Sequence, residues 1–354
     1  MEAPEPEHWA GTAPERILAP DGTPVADTDV GLSDDQLRAA LRWMIVARRL
    51  DGECIALQRQ GELTVYPGFE GQEAAQVGSA LALGPEDFVF PTFRELAVAL
   101  VRGVDPVQYL EYHRGTWHGA PYDPRATRFG PICIPVATQV VHAVGYAMGV
   151  AKDGSDAAAI GYVGDGAASE GDFHEAMNLA AVFGAPAIVF VQNNGWAISV
   201  PTRDQTAGEI WKRAEGYGMP GVRVDGNDLL AVYRVTTEAI ARARRGEGQT
   251  LIEALTYRIG AHSTADDAGR YRDDAEVERA RVFDPIARFR AWMLASGRLD
   301  EASLAGFEQE ADAFAGDVRE GLIAQEAPPD GWMFDWVYAE PPAILERQRR
   351  EALG

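Results

Sequence analysis

Apolar and polar positions follow two different rhythms along this chain. Over residues 33–59, Leu37, Leu41, Met44, Ile45 and Leu50 recur at helical spacing, which predicts one long amphipathic helix. Ser33-Asp34-Asp35 just ahead of it supplies a capping hydroxyl and acids for the first turn. Weaker helical patterns cover 72–83 and about 94–102. From about residue 156 short, fully apolar runs alternate with amphipathic stretches. The runs 158–163, 187–192, 222–224 and 251–259 predict buried strands; 171–183 and 229–244 predict the helices between them. Strands joined through helices imply crossover connections, hence a parallel sheet with helices on both faces. After about residue 275 the pattern is helical to the end, broken at Pro328-Pro329 and Pro341-Pro342.

With 354 residues, 46% of them apolar, the chain is long enough for a full α/β core, and no internal repeat divides it. Residues 1–36 hold nine acids and five prolines against one basic residue, Arg16. They predict an extended or partly disordered arm that buries little apolar surface. The organisation expected is therefore an arm over 1–36, an α/β unit over 37–275 and a helical C-terminal extension over 276–354. The formal net charge of −22 argues against nucleic acid and against anionic membrane surfaces. Lys152 and Lys212 are the only lysines, so fixed positive charge must come from arginine. No apolar run approaches the ~20 residues of a membrane span, and the N-terminus lacks the pattern of a signal peptide. Cys54 and Cys133 match no disulfide framework or metal spacing; two reduced thiols point to the cytoplasm.

The chemistry gathers in Gly164-Asp165-Gly166-Ala167-Ala168-Ser169 and in Asn193-Asn194-Gly195-Trp196. Each follows a predicted strand, with one helix between, so Asp165 and Asn194 can reach one crevice at the carboxyl ends of the strands. A carboxylate and an amide oxygen are hard donors that suit magnesium, which completes its shell with water and phosphate oxygens. The glycines admit close backbone approach, and the following helix turns its N-terminus toward an anion. These features together predict a magnesium-bridged diphosphate. Two alternatives stay open on the residues alone. The glycine spacing is near the dinucleotide-binding fingerprint, although Gln192-Asn193-Asn194 stands where an acidic ribose ligand belongs. A plain glycine-rich turn is the other.

The segment GDGAASEGDFHEAMNLAAVFGAPAIVFVQNNGWAIS resembles the thiamine diphosphate motif, a GDG triplet and a double asparagine one βα unit apart. More specifically it resembles the α subunit of the decarboxylating component of 2-oxo acid dehydrogenase complexes. TVYPGFEGQEAAQVGSAL, VFPTFRELAV, CIPVATQ, RVDGNDLLAVY and LIEALTYRIGAHSTADD extend the likeness over most of 40–275. The resemblance implies a three-layer α/β/α thiamine diphosphate-binding fold. It implies that Asp165, Asn194 and the Trp196 carbonyl ligate magnesium, and that Phe93 and Arg94 lie at the diphosphate, Arg94 in contact with it. By the same resemblance Ile134 and Val136 meet the aminopyrimidine through their backbones, and Gly164, Gly166 and Ala167 line the diphosphate loop. His262 falls near the thiazolium as the catalytic acid–base or charge-stabilising group, a role that suits an imidazole titrating near working pH. His118, His142 and His174 have no such match and read as structural.

A bound thiazolium accepts the electron pair when carbon dioxide leaves a 2-oxo acid, and the acyl unit passes to a lipoyl group on an acyltransferase partner. The activating glutamate of the family belongs to a β subunit, so the resemblance implies two α and two β chains and a chain inactive alone. GDGAASEGD and TYRIGAHSTADD are nearer the branched-chain enzymes, with pyruvate and acetoin as alternative substrates. A nicotinamide-dependent dehydrogenase and a non-catalytic binding subunit are the readings from other classes. Phe93 replaces a tyrosine of branched-chain relatives, and Gln192 replaces a residue that is often charged. In the loop 261–274, Ser263 falls at a regulatory phosphoserine position of mitochondrial relatives and Asp273 at another. A serine in a polar loop needs no such role. This loop, with Arg258, Arg270 and Arg272, is expected to order when cofactor binds.

Overall fold

A computed structural model describes residues 5–115 and 121–354; His118 lies outside the described residues. Helix α1 (Asp34–Arg59) opens on a capping box, in which the Ser33 hydroxyl accepts the Gln36 N–H and the Gln36 side chain accepts the Ser33 N–H. Leu37, Leu41, Met44 and Leu50 are buried on one face, and Ile45 packs half-buried at its edge. Then come α2 (Glu73–Ala82), β1 (Phe88–Phe90), α3 (Leu96–Val101), α4 (Pro106–Arg114) and α5 (Thr138–Lys152). The βα alternation continues through β2 (Ala159–Gly164), α6 (Gly171–Phe183), β3 (Ala187–Asn193), β4 (Gly221–Asp225), α7 (Leu229–Arg244) and β5 (Thr250–Leu255). Helices α8 (Asp274–Ala280), α9 (Pro285–Ala295), α10 (Glu301–Ile323) and α11 (Ala343–Leu353) follow.

The strands form one parallel sheet in the order β1-β2-β3-β5-β4. Side chains alternate between its faces. Ile160, Tyr162, Ile188 and Phe190 join α1, α2, α3, α7 and α9 in one core. Ala159, Val163, Val189 and Val191 join α5 and α6 in the other. That is the three-layer α/β/α arrangement expected. Among the described residues no helix is long and apolar enough to cross a membrane.

Two expectations need correction. The strand expected over 251–259 ends at Leu255, because Asn193 and Asp225, its neighbours in register there, also end their strands. Residues 256–259 instead follow the asparagine turn: the Thr256 N–H donates to the Asn193 carbonyl (2.9 Å) and the Arg258 N–H to that of Asn194 (3.2 Å). The second concerns the N-terminal arm. It buries Trp9, Ile17 and Leu18 almost completely. The Asp228 carboxylate accepts the N–H groups of Ile17 (2.6 Å) and Leu18 (2.7 Å), and Arg16 pairs with buried Asp225 (2.7 Å). Glu15 bridges Val224 and so covers the β4 edge of the sheet. Average composition concealed three well-spaced apolar anchors, each contributing ~1.5–3 kcal/mol when buried.

Candidate active site

Strands β2, β3 and β5 finish level with one another, and the turns beyond them open onto a cleft of about 400 Å³. Phe93, Arg94, Ile134, Val136, Gly164, Asp165, Gly166, Ala167, Asn194, Trp196 and His262 all line it. Neither His142 nor His174 does. His174 instead faces Tyr217, its Nδ1 2.8 Å from the phenol oxygen.

Asp165 leaves β2 directly into a short 3-10 turn (Gly166–Ser169), which carries the chain under the cleft to α6. A Cβ on Gly166 would stand 2.9 Å from the Ala197 Cβ, so only glycine lets these two turns meet. The Asp165 carboxylate is buried and accepts the Thr202 hydroxyl (2.9 Å). Burial pushes its pKa up, and the Thr202 bond offsets that only in part. An ionised carboxylate held this way favours a cation beside it. The nearby Asn194 amide oxygen accepts only a long 3.3 Å bond from the Trp196 N–H, and its nitrogen reaches Gln72 Oε1 at 3.4 Å. Its predecessor Asn193 has a different task. Its amide donates to Glu253 (2.7 Å) and accepts from the Gly195 N–H and Thr202 hydroxyl (3.2 Å each), tying the turn to the sheet. The Trp196 carbonyl accepts Arg258 Nη1 at 2.9 Å, so a metal there would share that oxygen with a guanidinium.

Arg94 brings positive charge to the cleft lining, and Arg258 lies behind the Trp196 carbonyl. Arg94 is buried and donates to the carbonyls of Gly68 and His262, with Nη2 3.3 Å from His262 Nδ1. Arg258 donates to the carbonyls of Trp196 and Ile198 and to the Tyr271 phenol. None of these partners is a carboxylate. Burial first, then the charge of Arg258, brings the Arg94 pKa down to about 10, so it stays protonated at neutral pH. A buried guanidinium in the cleft lining with no carboxylate hydrogen-bonded to it favours an anion there.

His262 departs from expectation in its protonation. Burial, then Arg94 and Arg258, lower its pKa to about 4, so it is neutral at working pH. Its Nδ1 faces a donor on Arg94, which favours the tautomer carrying hydrogen on Nε2. The Phe93 ring packs edge-on to the imidazole, centroids 6.0 Å apart. Ile134 and Val136 stand about half exposed in the cleft lining, as does Ile198.

Besides Gln192, noted in the sequence as a departure, the cleft holds polar residues that the sequence did not single out. Gln72, Gln139 and Gln192 are buried there, and Gln72 Nε2, Gln139 Oε1 and Gln192 Oε1 have no partner among the described residues. Glu95 is buried too, accepting the Thr92 N–H and hydroxyl (2.5 Å each) and the Gln192 amide (2.6 Å). Glutamines inside otherwise apolar stretches, as in PVATQVV, were the available signal. Among the described residues no cluster of three or more His, Cys, Asp or Glu side chains could hold a metal. The donors suit an ion that takes one carboxylate and one amide from the protein and further oxygens from an anionic ligand.

Comparison with known proteins agrees with this arrangement. The model of the dehydrogenase E1 component family matches residues 41–321. The chain is 47% identical over 345 residues to the 3-methyl-2-oxobutanoate dehydrogenase subunit alpha of Mycobacterium tuberculosis strain H37Rv, covering 96% of this chain and 93% of that protein. It is 39% identical to the pyruvate dehydrogenase E1 component subunit alpha of Bacillus subtilis strain 168, covering 90% and 86%. With the mitochondrial 2-oxoisovalerate dehydrogenase subunit alpha 2 of Arabidopsis thaliana it shares 36% identity, covering 94% and 73%. Since the family match spans most of the chain, and the cleft lies within the matched region, this protein belongs to the dehydrogenase E1 component family.

Proposed function

We propose that this chain is the α subunit of a branched-chain 2-oxo acid dehydrogenase, and that its cleft holds thiamine diphosphate through magnesium. The observation that carries the cofactor reading is the charge arrangement of one cleft: Asp165 and Asn194 line it together with Arg94, which hydrogen-bonds no carboxylate, and Arg258 lies behind the Trp196 carbonyl. In this reading Asp165, Asn194 and the Trp196 carbonyl hold the metal. Arg94 contacts the diphosphate beside Phe93, and Gly164, Gly166 and Ala167 leave room for it. Ile134 and Val136 face the aminopyrimidine. When bound, thiamine diphosphate supplies an electron sink for the pair released as carbon dioxide leaves a 2-oxo acid. His262, neutral, offers an Nε2 hydrogen to an oxygen of substrate and would not exchange protons as an imidazolium.

The half-exposed Ile134, Val136 and Ile198 of the cleft lining suit coverage by a second protein. A β subunit that supplies the activating glutamate fits there, in an assembly of two α and two β chains serving a lipoyl-bearing acyltransferase. The arm, the α/β unit 37–275 and the helical extension 276–354 form the α chain's share of that assembly. Free Cys54 and Cys133 suit a reducing cytoplasm. Branched-chain substrates are favoured because identity is 47% to the 3-methyl-2-oxobutanoate enzyme subunit and 39% to a pyruvate enzyme subunit. Kinetics of the co-expressed α and β pair on 3-methyl-2-oxobutanoate, pyruvate and acetoin test the assignment. A kcat/KM highest for 3-methyl-2-oxobutanoate is expected; a preference for pyruvate would move the chain to the pyruvate class.

A further inference from the structure

The N-terminal arm runs along the outer side of the asparagine turn. His8 sits in a short helical turn (Glu7–Trp9), and its Nε2 lies 2.7 Å from the Thr256 carbonyl. The Trp9 indole donates to the same oxygen at 3.2 Å. Thr256 in turn donates its N–H to Asn193 (2.9 Å), so the arm is one hydrogen bond from the asparagine pair. The His8 ring also lies flush against Gly195, where a Cβ would stand 2.8 Å from its Cε1 and Nδ1. Gly195 adopts φ +87° between Asn194 and Trp196, and its carbonyl accepts the Thr202 N–H (2.9 Å). The Thr202 hydroxyl is the group that holds Asp165. Behind this contact the arm is fastened by buried Arg223, which donates to the carbonyls of His8, Ala10 and Thr12, and by Glu209, which accepts from Thr12.

Glycine adopts this left-handed backbone without strain, so the position of the turn is set by what packs against it. On the cleft side the Asn194 amide oxygen accepts only the long Trp196 N–H bond, and the Trp196 carbonyl accepts Arg258 Nη1. On the other side the closest support is an imidazole delivered from almost two hundred residues away in sequence. We propose that His8 is a positioning residue for the cofactor: its ring buttresses the asparagine turn, so that the Asn194 amide and Trp196 carbonyl are held ready for the metal and diphosphate. This rests on the cofactor reading above. A consequence is that the arm sets cofactor affinity rather than turnover.

The test uses the co-purified α and β assembly, titrated calorimetrically with thiamine diphosphate at fixed magnesium, with kcat measured at saturating cofactor. His8→Ala is expected to weaken cofactor binding about tenfold, the scale of one buried hydrogen bond and its packing, while kcat is unchanged. His8→Gln, whose amide can still reach Thr256, is expected to recover most of the affinity; His8→Asn, one methylene shorter, is not. Glu15→Gln, which loosens the arm at its ion pair with Arg234, is the control expected to bind as wild type. If His8→Ala does not assemble, the Gln and Asn variants decide the matter. Wild-type affinity in His8→Asn, or equal weakening in Glu15→Gln, would overturn the proposal. Failure of the wild-type assembly itself to bind thiamine diphosphate with magnesium would instead overturn the cofactor reading beneath it.

Discussion

Replacing Asp165 by Asn separates what the cleft costs the fold from what it offers a ligand. The change keeps the shape and leaves an oxygen to accept the Thr202 hydroxyl, which now stands 2.9 Å from the carboxylate. It removes a buried negative charge whose pKa burial already pushes upward. Without ligand, the variant should therefore be at least as stable as wild type, by up to about 1–3 kcal/mol, the cost of a poorly compensated buried polar group. With ligand the order reverses. A lost charge-assisted metal contact of about 1.5–3 kcal/mol weakens binding by roughly tenfold to a hundredfold. At a cofactor concentration of about a hundred times the wild-type dissociation constant, wild type gains ~2.7 kcal/mol, whereas a hundredfold weaker variant gains only ~0.4. Thermal unfolding of the assembled α and β chains, with and without thiamine diphosphate and magnesium, reads both halves. A variant less stable than wild type without ligand, yet equally stabilised by it, would refute the reasoning.

Three further outcomes follow from particular contacts. Gly166→Ala places a methyl 2.9 Å from Ala197, so it should lower stability by ~1–3 kcal/mol and weaken cofactor binding, both read from ligand-dependent melts. His113, buried with Nδ1 on the Val65 carbonyl and Nε2 unpartnered, has its pKa lowered to about 4 by desolvation. The unfolded chain takes up that proton near pH 6.5 and the folded chain does not. Its contribution is therefore complete above pH 6.5 and falls between there and pH 4 by ~1.4 kcal/mol per unit; His113→Gln should flatten a plot of stability against pH in that window, and an unchanged slope would count against the burial argument. The loop 261–274 is joined to the cleft through Arg94 and His262, and Arg272 holds the carbonyls of Ile259 and Gly260. Limited proteolysis of that loop should slow when thiamine diphosphate and magnesium are added; indifference to both would end the proposal that cofactor orders it.

The parallel sheet was legible because its strands are continuous apolar runs and its crossover helices have strong faces; α6 and α7 begin and end where their patterns do. Helix α5 was not. Its buried face of Val140, Ala143, Val144 and Ala147 uses small residues that give little contrast with its other side. Strand β1 is three residues long, too short for any alternation to register. Asp165 and Asn194 were readable because glycines and strand ends bracket them. Gln72, Gln139 and Glu95 were not, since a polar residue reveals its burial only once the surrounding elements close over it. His262 was readable as a position, but its neutrality was not, because that depends on Arg94 and Arg258 arriving from distant segments. The arm was misjudged for a related reason: nine acids dominate its average, while Trp9, Ile17 and Leu18 do the packing.

The central claim is that this chain supplies the metal and diphosphate half of an active site that a β subunit completes. The most direct measurement is decarboxylation of 3-methyl-2-oxobutanoate by the purified chain with thiamine diphosphate and magnesium, before and after addition of its β subunit. No turnover from the chain alone, and turnover once the β subunit is added, is the predicted result. Robust decarboxylation by the single chain would contradict it.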